Sequence, residues 1–351
     1  MINALSVDLE DWYHICGVGD LSGQVNCARS YDRLEKNTET ILLLFQKYRV
    51  SATFFVVGKI AEEAPELIKK IADAGHELGA HGFFHHRIFD MTPEEFEKDL
   101  LRCKSAIEKA AGKRVHGYRS PEWSLKKNNI WALDLLKKHG FLYDASAVPL
   151  SHLGGKYFNL YPYEINTKHG TMLEFPLSTS RCFWERLPFT GGLSMRINPY
   201  FYILDCTKMI NKSGYPAIFY LHPWEFDTEQ IKIKLPFNRK FMRECNLEST
   251  AKKMKLLLEH LEFSTIEDVL GLQSVNRSKK ICGKNYKYYD AAYFKSVILA
   301  FFFILGLCLV IFSAVFLMKQ YVLLLPVILL TIFYWPWGLL FKSKHGFIKN
   351  E

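Results

Sequence analysis

The sequence predicts an α/β fold of parallel βα units, and three observations carry that expectation. Short apolar runs suited to strands alternate with helical patterns at near-regular intervals through the first 272 residues. Polar residues of chemical interest, Asp8, His81, Arg119, Asp144 and His222, stand at or just after the ends of those runs. The apolar share of 49% is ample for a core and too high for a disordered chain. A (β/α) barrel with its site on the strands' C-terminal face explains the placement of the polar residues. The alternative is an open doubly wound sheet, but no glycine-rich phosphate fingerprint supports a nucleotide-binding version of it.

Taken in order, residues 3–8 read as a buried strand ending at Asp8, followed by a glycine-containing loop over 10–30. The pattern predicts a helix from Tyr31 to Tyr48, with Leu42, Leu43, Leu44 and Phe45 facing inward. The continuous apolar run Ala52–Gly58 predicts a strand covered on both faces. Pro65 opens a helix ending near Gly75, and a strand over Glu77–Ala80 delivers His81. Thr92-Pro93-Glu94-Glu95 is a capping box with proline at the first helical position, opening a helix to about Ala111. A strand at Val115–Tyr118 delivers Arg119-Ser120-Pro121. A helix over Asn128–His139 stops at Gly140, and a strand at Phe141–Tyr143 delivers Asp144. Residues 150–215 are less regular, with a strand at Leu173–Leu177, a loop at Pro188–Gly192 and a helix from Pro199 to Asn211. Pro216–Leu221 predicts a buried strand delivering His222-Pro223-Trp224, and Ser249–Leu261 an amphipathic helix.

The folded domain is expected to end near Leu272, followed by a basic linker over 273–295. Two uncharged apolar runs, Ser296–Met318 and Tyr321–Phe341, are each long enough to span a bilayer as a helical hairpin, with a basic tail over 342–351. The net charge of +9 implies an anionic partner. Its concentration beside the apolar runs points to a membrane surface, and no nucleic-acid motif is present. The eight scattered cysteines contain no Cys-x-x-Cys pair and read as reduced thiols. The N-terminus has no basic segment and no long apolar core, so no signal peptide is expected. Lysine and arginine flank both runs, with only Lys319 in the turn between them, which places the N-terminal domain on the cytoplasmic side of the cell membrane. Oligomeric state is not legible.

His81-Gly82-Phe83-Phe84-His85 places two imidazoles four residues apart, able to meet at one point if the backbone makes about a single helical turn. Imidazole is the commonest side-chain ligand for a first-row metal. The carboxylate cluster Asp8-Leu9-Glu10-Asp11, at another strand's exit, raises the pair above an incidental polar loop.

These residues resemble the NodB-homology polysaccharide deacetylases, metal-dependent carbohydrate esterases with a deformed (β/α) barrel. The likeness spans about residues 3–270 and rests on Val7–Asp11, Ala52–Gly58, His81–His85, Arg119-Ser120-Pro121 and Leu221-His222, in the family's order. Asp-x-Glu-Asp early and His222-Pro223-Trp224-Glu225 late are closer to a subgroup associated with exopolysaccharide export. The usual first motif has adjacent aspartates, whereas here Asp8 is followed by Glu10 and Asp11. The resemblance makes Asp8 the base and leaves either Glu10 or Asp11 as the metal carboxylate beside His81 and His85, with Asp11 preferred.

What the resemblance implies is hydrolysis of an N-acetyl group from an amino sugar in a polysaccharide or lipid-linked precursor. The cofactor would be one divalent ion, Zn2+ first, with Co2+, Ni2+ or Mn2+ as alternatives. Such an ion lowers the pKa of bound water towards ~7 and polarises a carbonyl; two histidines and one carboxylate leave positions open for water and substrate. Asp8 would take the proton, Arg119 would hold Asp8 ionised, His222 would protonate the leaving nitrogen, and Asp144 would orient His222. Pro121, Trp123, Trp224, Gly191 and Gly192 are expected to contact substrate, with Trp12 a further aromatic beside a motif. Glu10 has a second reading as an outer hydrogen-bond acceptor and Arg119 as a structural ion pair; His14 and His86 read as bystanders. The rival functions are a deformylase or deacetylase of a single lipid-linked sugar, and an inactive carbohydrate-binding membrane protein. Retention of Asp8, His81, His85, Arg119 and His222 speaks against the last.

Overall fold

The computed structural model describes residues 1–11, 14, 27–151, 155, 157–182, 185–230 and 235–272. In chain order the elements are β1 (Ile2–Leu9), α1 (Cys27–Tyr48), β2 (Thr53–Val56), α2 (Gly58–Glu63), α3 (Pro65–Asp73), β3 (Glu77–Ala80) and α4 (Pro93–Ala111). Then come β4 (Gly117–Tyr118), α5 (Trp131–Lys138), β5 (Tyr143–Asp144), β6 (Tyr163–Thr167), β7 (Gly170–Glu174), β8 (Thr179–Cys182) and β9 (Glu185–Pro188). The last are α6 (Gly192–Ile197), α7 (Tyr200–Lys212), β10 (Ile218–Leu221), α8 (Phe237–Glu244), α9 (Glu248–His260), β11 (Glu262–Ser264) and α10 (Ile266–Leu270).

The main sheet runs β10-β1-β2-β3-β4-β5-β7-β6, with β11 also beside β1. Every pairing from β10 to β7 is parallel and only β6 is antiparallel, at the edge. Parallel strands of this kind are buried on both faces; in β1 every side chain but that of Ile2 is buried, and all of β2 is. Among the described strands no pairing joins β6 back to β10, so the expected barrel is a half-barrel rather than a closed one. The reason lies after β5: residues 163–174 fold back as a hairpin, and the antiparallel β6 ends the parallel run. A second hairpin, β8–β9, stands outside the sheet.

Local chemistry sets most element ends. Thr92 Oγ1 accepts from Glu95 N–H at 3.2 Å, while Glu95 accepts from Thr92 N–H at 2.8 Å. These reciprocal bonds satisfy two of the donors a helix start leaves open, and α4 ends where Gly112 turns left-handed (φ 65°). Cys103, Cys206 and Cys245 are free thiols, as expected. Among the described residues no helix is long and apolar enough to cross a membrane; the hairpin expected over 296–341 lies outside them.

Candidate active site

The strand register explains why the polar residues meet. Leu9 pairs with Val56, Val56 with Ala80, Ala80 with Tyr118 and Tyr118 with Asp144. The strands therefore end level, and the next residues, Glu10, His81 and Arg119, emerge from one rim. On the other side Val7 pairs with Leu221, so His222 follows level with Asp8. Side chains two apart on a strand share a face, which puts Asp8 and Glu10 together and sends Asp11 the other way.

Glu10, His81 and His85 place their ligand atoms within 4.8 Å of one another, all buried or nearly so. Glu10 Oε2 lies 2.5 Å from His85 Nε2 and 3.7 Å from His81 Nε2. His81 Nδ1 is 2.8 Å from the Arg119 carbonyl. That bond requires the proton on Nδ1 and leaves the Nε2 lone pair facing Glu10 and His85, the outer-shell arrangement that orients a ligating histidine. His85 Nε2 is buried and makes no well-aligned hydrogen bond among the described residues. An orphaned buried nitrogen beside a carboxylate and a second imidazole fits a divalent cation bridging the three. Asp11 is buried but outside this group; its backbone N–H donates to His14 Nδ1 at 3.1 Å, and its charge acts on Arg243. The preference for Asp11 is thereby corrected in favour of Glu10. The histidine pair is also not helical: Gly82 (φ 70°) and His85 (φ 60°) are both left-handed. His85 has a side chain to strain there, and such strain collects at functional sites. His14 is less of a bystander than expected, since its ring stands 5.2 Å from that of His85. Burial, with His85 adding to it, pushes the His14 pKa down to about 3.

Asp8 sits deeper. Its Oδ1 accepts from Arg119 Nη1 at 2.5 Å. The Arg119 guanidinium also donates to Ser6 Oγ (2.9 Å) and the Ala145 carbonyl (3.2 Å), with its carbon 4.2 Å over the Phe55 ring. Only about 1% of Arg119 is exposed, and a buried pair of this kind is fixed by its extra hydrogen bonds as much as by charge. Facing it, His222 Nε2 lies 3.9 Å from Asp8 Oδ2 and 3.5 Å from Glu10 Oε1. Burial alone would lower the His222 pKa, but Glu225, Glu10 and Asp8 outweigh it and raise it to about 9.

The partner that orients His222 is Glu225, not Asp144. Glu225 Oε2 lies 3.1 Å from His222 Nδ1 and accepts from its backbone N–H at 3.1 Å. Behind it, Arg196 Nε is 3.1 Å from Glu225 Oε1, both residues being 1% exposed. Glu225 was marked in the sequence only as part of the late motif, without a role, and Arg196 was not marked at all. The glutamate had a legible signal, three residues after His222 and following a proline, the spacing of a capping box. Arg196 had none, because its contact is set by tertiary packing. Asp144 is instead paired across the β5–β7 register with Glu174, both fully buried. Burial pushes both carboxyl groups up, as two carboxylates forced together without water share a proton. Asp144 accepts from Ser146 Oγ at 2.6 Å, and Ser146 Oγ accepts from Ser120 N–H at 2.7 Å. It acts on the loop after Arg119, not on His222.

These groups open onto a cavity of about 560 Å³, lined by Asp8, Glu10, His81, His85, His222 and Arg196 at its base and by Trp123, Trp224 and Gly192 in its walls. Leu187 and Pro188 of the β8–β9 hairpin line it too. Trp123 stands edge-on to Tyr220 at 5.1 Å, and Trp224 stacks on His222 at 5.1 Å. Gly191 does not line the cavity but bridges to Tyr220, so close that a Cβ would fall 2.3 Å from the Tyr220 carbonyl oxygen. Pro121 also misses the cavity and packs under Gly82. Trp12 lies outside the described residues. His86 is exposed beside Phe84, as a bystander should be.

Residues 27–143 match the polysaccharide deacetylase family. The chain carries a polysaccharide deacetylase domain. Residues 145–271 match a second family, a domain of unknown function (DUF3473). Among curated proteins, a peptidoglycan deacetylase of Helicobacter pylori is 43% identical over 106 residues, 30% of this chain and 35% of that protein. A chitooligosaccharide deacetylase of Bradyrhizobium is 29% identical over 120 residues, 34% of this chain and 52% of the other. The chain thus spans about a third to a half of the length of these relatives. A solved structure from Mycobacterium smegmatis, described as a polysaccharide deacetylase, superposes with a TM-score of 0.52 at 19% identity, covering 82% of this chain and 95% of that one. The deacetylase domain therefore shares its half-barrel with solved relatives beyond the matched segment.

Proposed function

We propose that this chain is a metal-dependent hydrolase that removes the N-acetyl group from an amino sugar of a glycan. The observation that carries this reading is the meeting, in one cavity, of the Glu10/His81/His85 cluster with Asp8–Arg119 on one side and His222–Glu225 on the other. A divalent ion held by Glu10, His81 and His85, Zn2+ by the chemistry of the donor set, would acidify a water and polarise the acetyl carbonyl. Asp8, paired with Arg119, accepts the proton that the attacking water loses. The Arg119 pair fixes which carboxylate oxygen is free, since Oδ1 is occupied. As the carbon–nitrogen bond breaks, the electron pair goes to nitrogen and His222 Nε2 supplies the proton. Glu225 keeps that ring charged and turned inward. The products are acetate and a free amine. Trp123 and Trp224 line the cavity that would take the sugar.

The names of the two curated relatives support a glycan carrying N-acetyl groups. The apolar runs of the sequence favour a membrane-anchored enzyme with its domain on the cytoplasmic side, working on a lipid-linked or nascent glycan. A reporter fused at Glu351, with labelling at Lys319, tests that topology: an externally active C-terminus reverses it. For the chemistry, purified full-length protein is given N-acetylated chitooligosaccharides, peptidoglycan fragments and a lipid-linked N-acetyl sugar. Released acetate is measured before and after chelation and on adding metal back. Acetate release that chelation stops and Zn2+ restores is expected. Release of formate from an N-formyl sugar alone, or no acid from any substrate, overturns the reading.

A further inference from the structure

The helix α8, FNRKFMRE, is inside out. A surface helix of a globular protein turns its apolar side to the core. Here Arg243 is the side chain fully buried, while Phe237 is 83% exposed and Phe241 47%, their rings stacked at 6.5 Å. Met242 is exposed as well, and it lines the cavity beside the catalytic groups. Two more exposed apolar side chains, Leu187 and Ile197, share that double position, outward and on the cavity wall. The mouth of the site is thus lined, on three elements, by apolar side chains that keep 40% or more of their surface exposed. Exposed Lys240 and its neighbour Arg239 fringe the same helix.

We infer that α8 and this rim seat the mouth of the site on an anionic lipid bilayer. An apolar crest with a cationic fringe is the composition that enters the headgroup boundary, where anionic lipids attract lysine and arginine. The sequence supplies the occupant: after residue 272 come the basic residues of 277–295 and then the uncharged runs 296–318 and 321–341, so a bilayer lies within reach of the domain. The face is also tied to the chemistry. Arg196 Nη1 donates to the carbonyls of Arg243 (3.1 Å) and Cys245 (2.8 Å), and Nη2 to that of Met242 (2.5 Å), while its Nε faces Glu225. One guanidinium therefore joins the C-terminal end of α8 to the acid that holds His222. An amino sugar carried on a lipid would meet the cavity from the membrane side; this part rests on the deacetylase reading, the docking itself does not.

The test uses full-length protein in vesicles of phosphatidylcholine and phosphatidylglycerol. A genetically encoded fluorescent amino acid replaces Phe237 or, as control, exposed Arg114, which precedes β4 at the opposite end of the strands. Brominated lipids are expected to quench position 237 several-fold more than position 114. Equal quenching, or none at 237, overturns the inference whatever the enzyme does. In a second arm, Phe237→Glu/Phe241→Glu protein should turn over a soluble N-acetylated chitooligosaccharide as wild type does, and lose at least about tenfold on a vesicle-borne N-acetyl glycolipid. An equal loss on both would make the face a glycan groove and overturn the docking. Activity absent in wild type on both substrates would sink the deacetylase reading while leaving the quenching result to stand alone.

Discussion

Replacing Glu225 by glutamine removes the charge beside His222 and keeps one acceptor for it. The amide carbonyl can still accept from His222 Nδ1–H and N–H, while its NH2 faces Arg196 Nε in place of Oε1, so the Arg196 contact is lost together with the negative charge. With its pKa at about 9, roughly 97% of His222 is protonated at pH 7.5 by ordinary titration. Loss of one carboxylate at 3.1 Å should lower that pKa by about 1–3 units. The protonated fraction at pH 7.5 then falls to between about three-quarters and a few per cent, a loss in kcat/KM of about 1.3- to 30-fold. The sign is fixed. A proton donor works below its pKa, so the alkaline limb of the pH–rate profile should move to lower pH by the same 1–3 units, and activity should recover on the acid side. The assay is acetate release from a soluble N-acetylated oligosaccharide across pH 5.5–10, with metal content measured on the same samples. A limb that does not move, in protein with normal metal content, refutes the role of Glu225 and with it that of His222 as proton donor.

Four further outcomes are expected. Asp8→Asn should keep its metal and lose about 10²–10⁴-fold in rate, read by metal analysis beside turnover; metal-free, folded variant protein would move Asp8 into the ligand set. Glu10→Ala should lose bound metal and Asp11→Ala should keep it, as equilibrium dialysis against Zn2+ would show; the reverse would restore the sequence-based preference. Gly191→Ala should cost about 1–3 kcal/mol, since its Cβ has no room against Tyr220 although the backbone there (φ −173°) suits any residue; an unchanged Tm refutes it. Glu77, half-buried among Thr53, Tyr143 and Glu267, with His116 on Glu267, is pushed up to about 8 by its removal from water and the Glu267 charge. Between about pH 4.5 and 8 the folded chain holds a proton that the unfolded chain has released, so stability falls as pH rises through that window. Glu77→Gln should remove at least about 1–3 kcal/mol of that fall, measured by urea unfolding at pH 5 and 8.

What could be read from the sequence depended on which force set each element. β3 over Glu77–Ala80 and the Thr92 capping box appear where expected, because buried apolar runs and capping residues act locally. Strands β6, β8 and β9 were not foreseen: the residues of β6 and β9 are exposed or half-exposed, and β8 reads Thr179-Ser180-Arg181-Cys182, with little apolar signal. The choice between Glu10 and Asp11 was in fact legible: a strand's two-residue period puts Asp8 and Glu10 on one face. The pairing of Asp144 with Glu174 was not, because it depends on which strands become neighbours, and the hairpin that brings β7 beside β5 leaves no local mark.

The two family matches divide the chain near residue 144, and the chemistry is divided with it. The first segment carries His81, His85 and Arg119; the second carries Arg196, His222, Glu225 and the glycines against Tyr220. Yet β7, from the second, lies against β5, and β10 lies against β1, which with Asp8 and Glu10 precedes both matches, so one continuous sheet joins all three parts of the chain. Neither segment could be grafted into another protein alone and remain whole. A chimera made by swapping the second segment between relatives would keep the place for the ion and inherit a foreign proton donor.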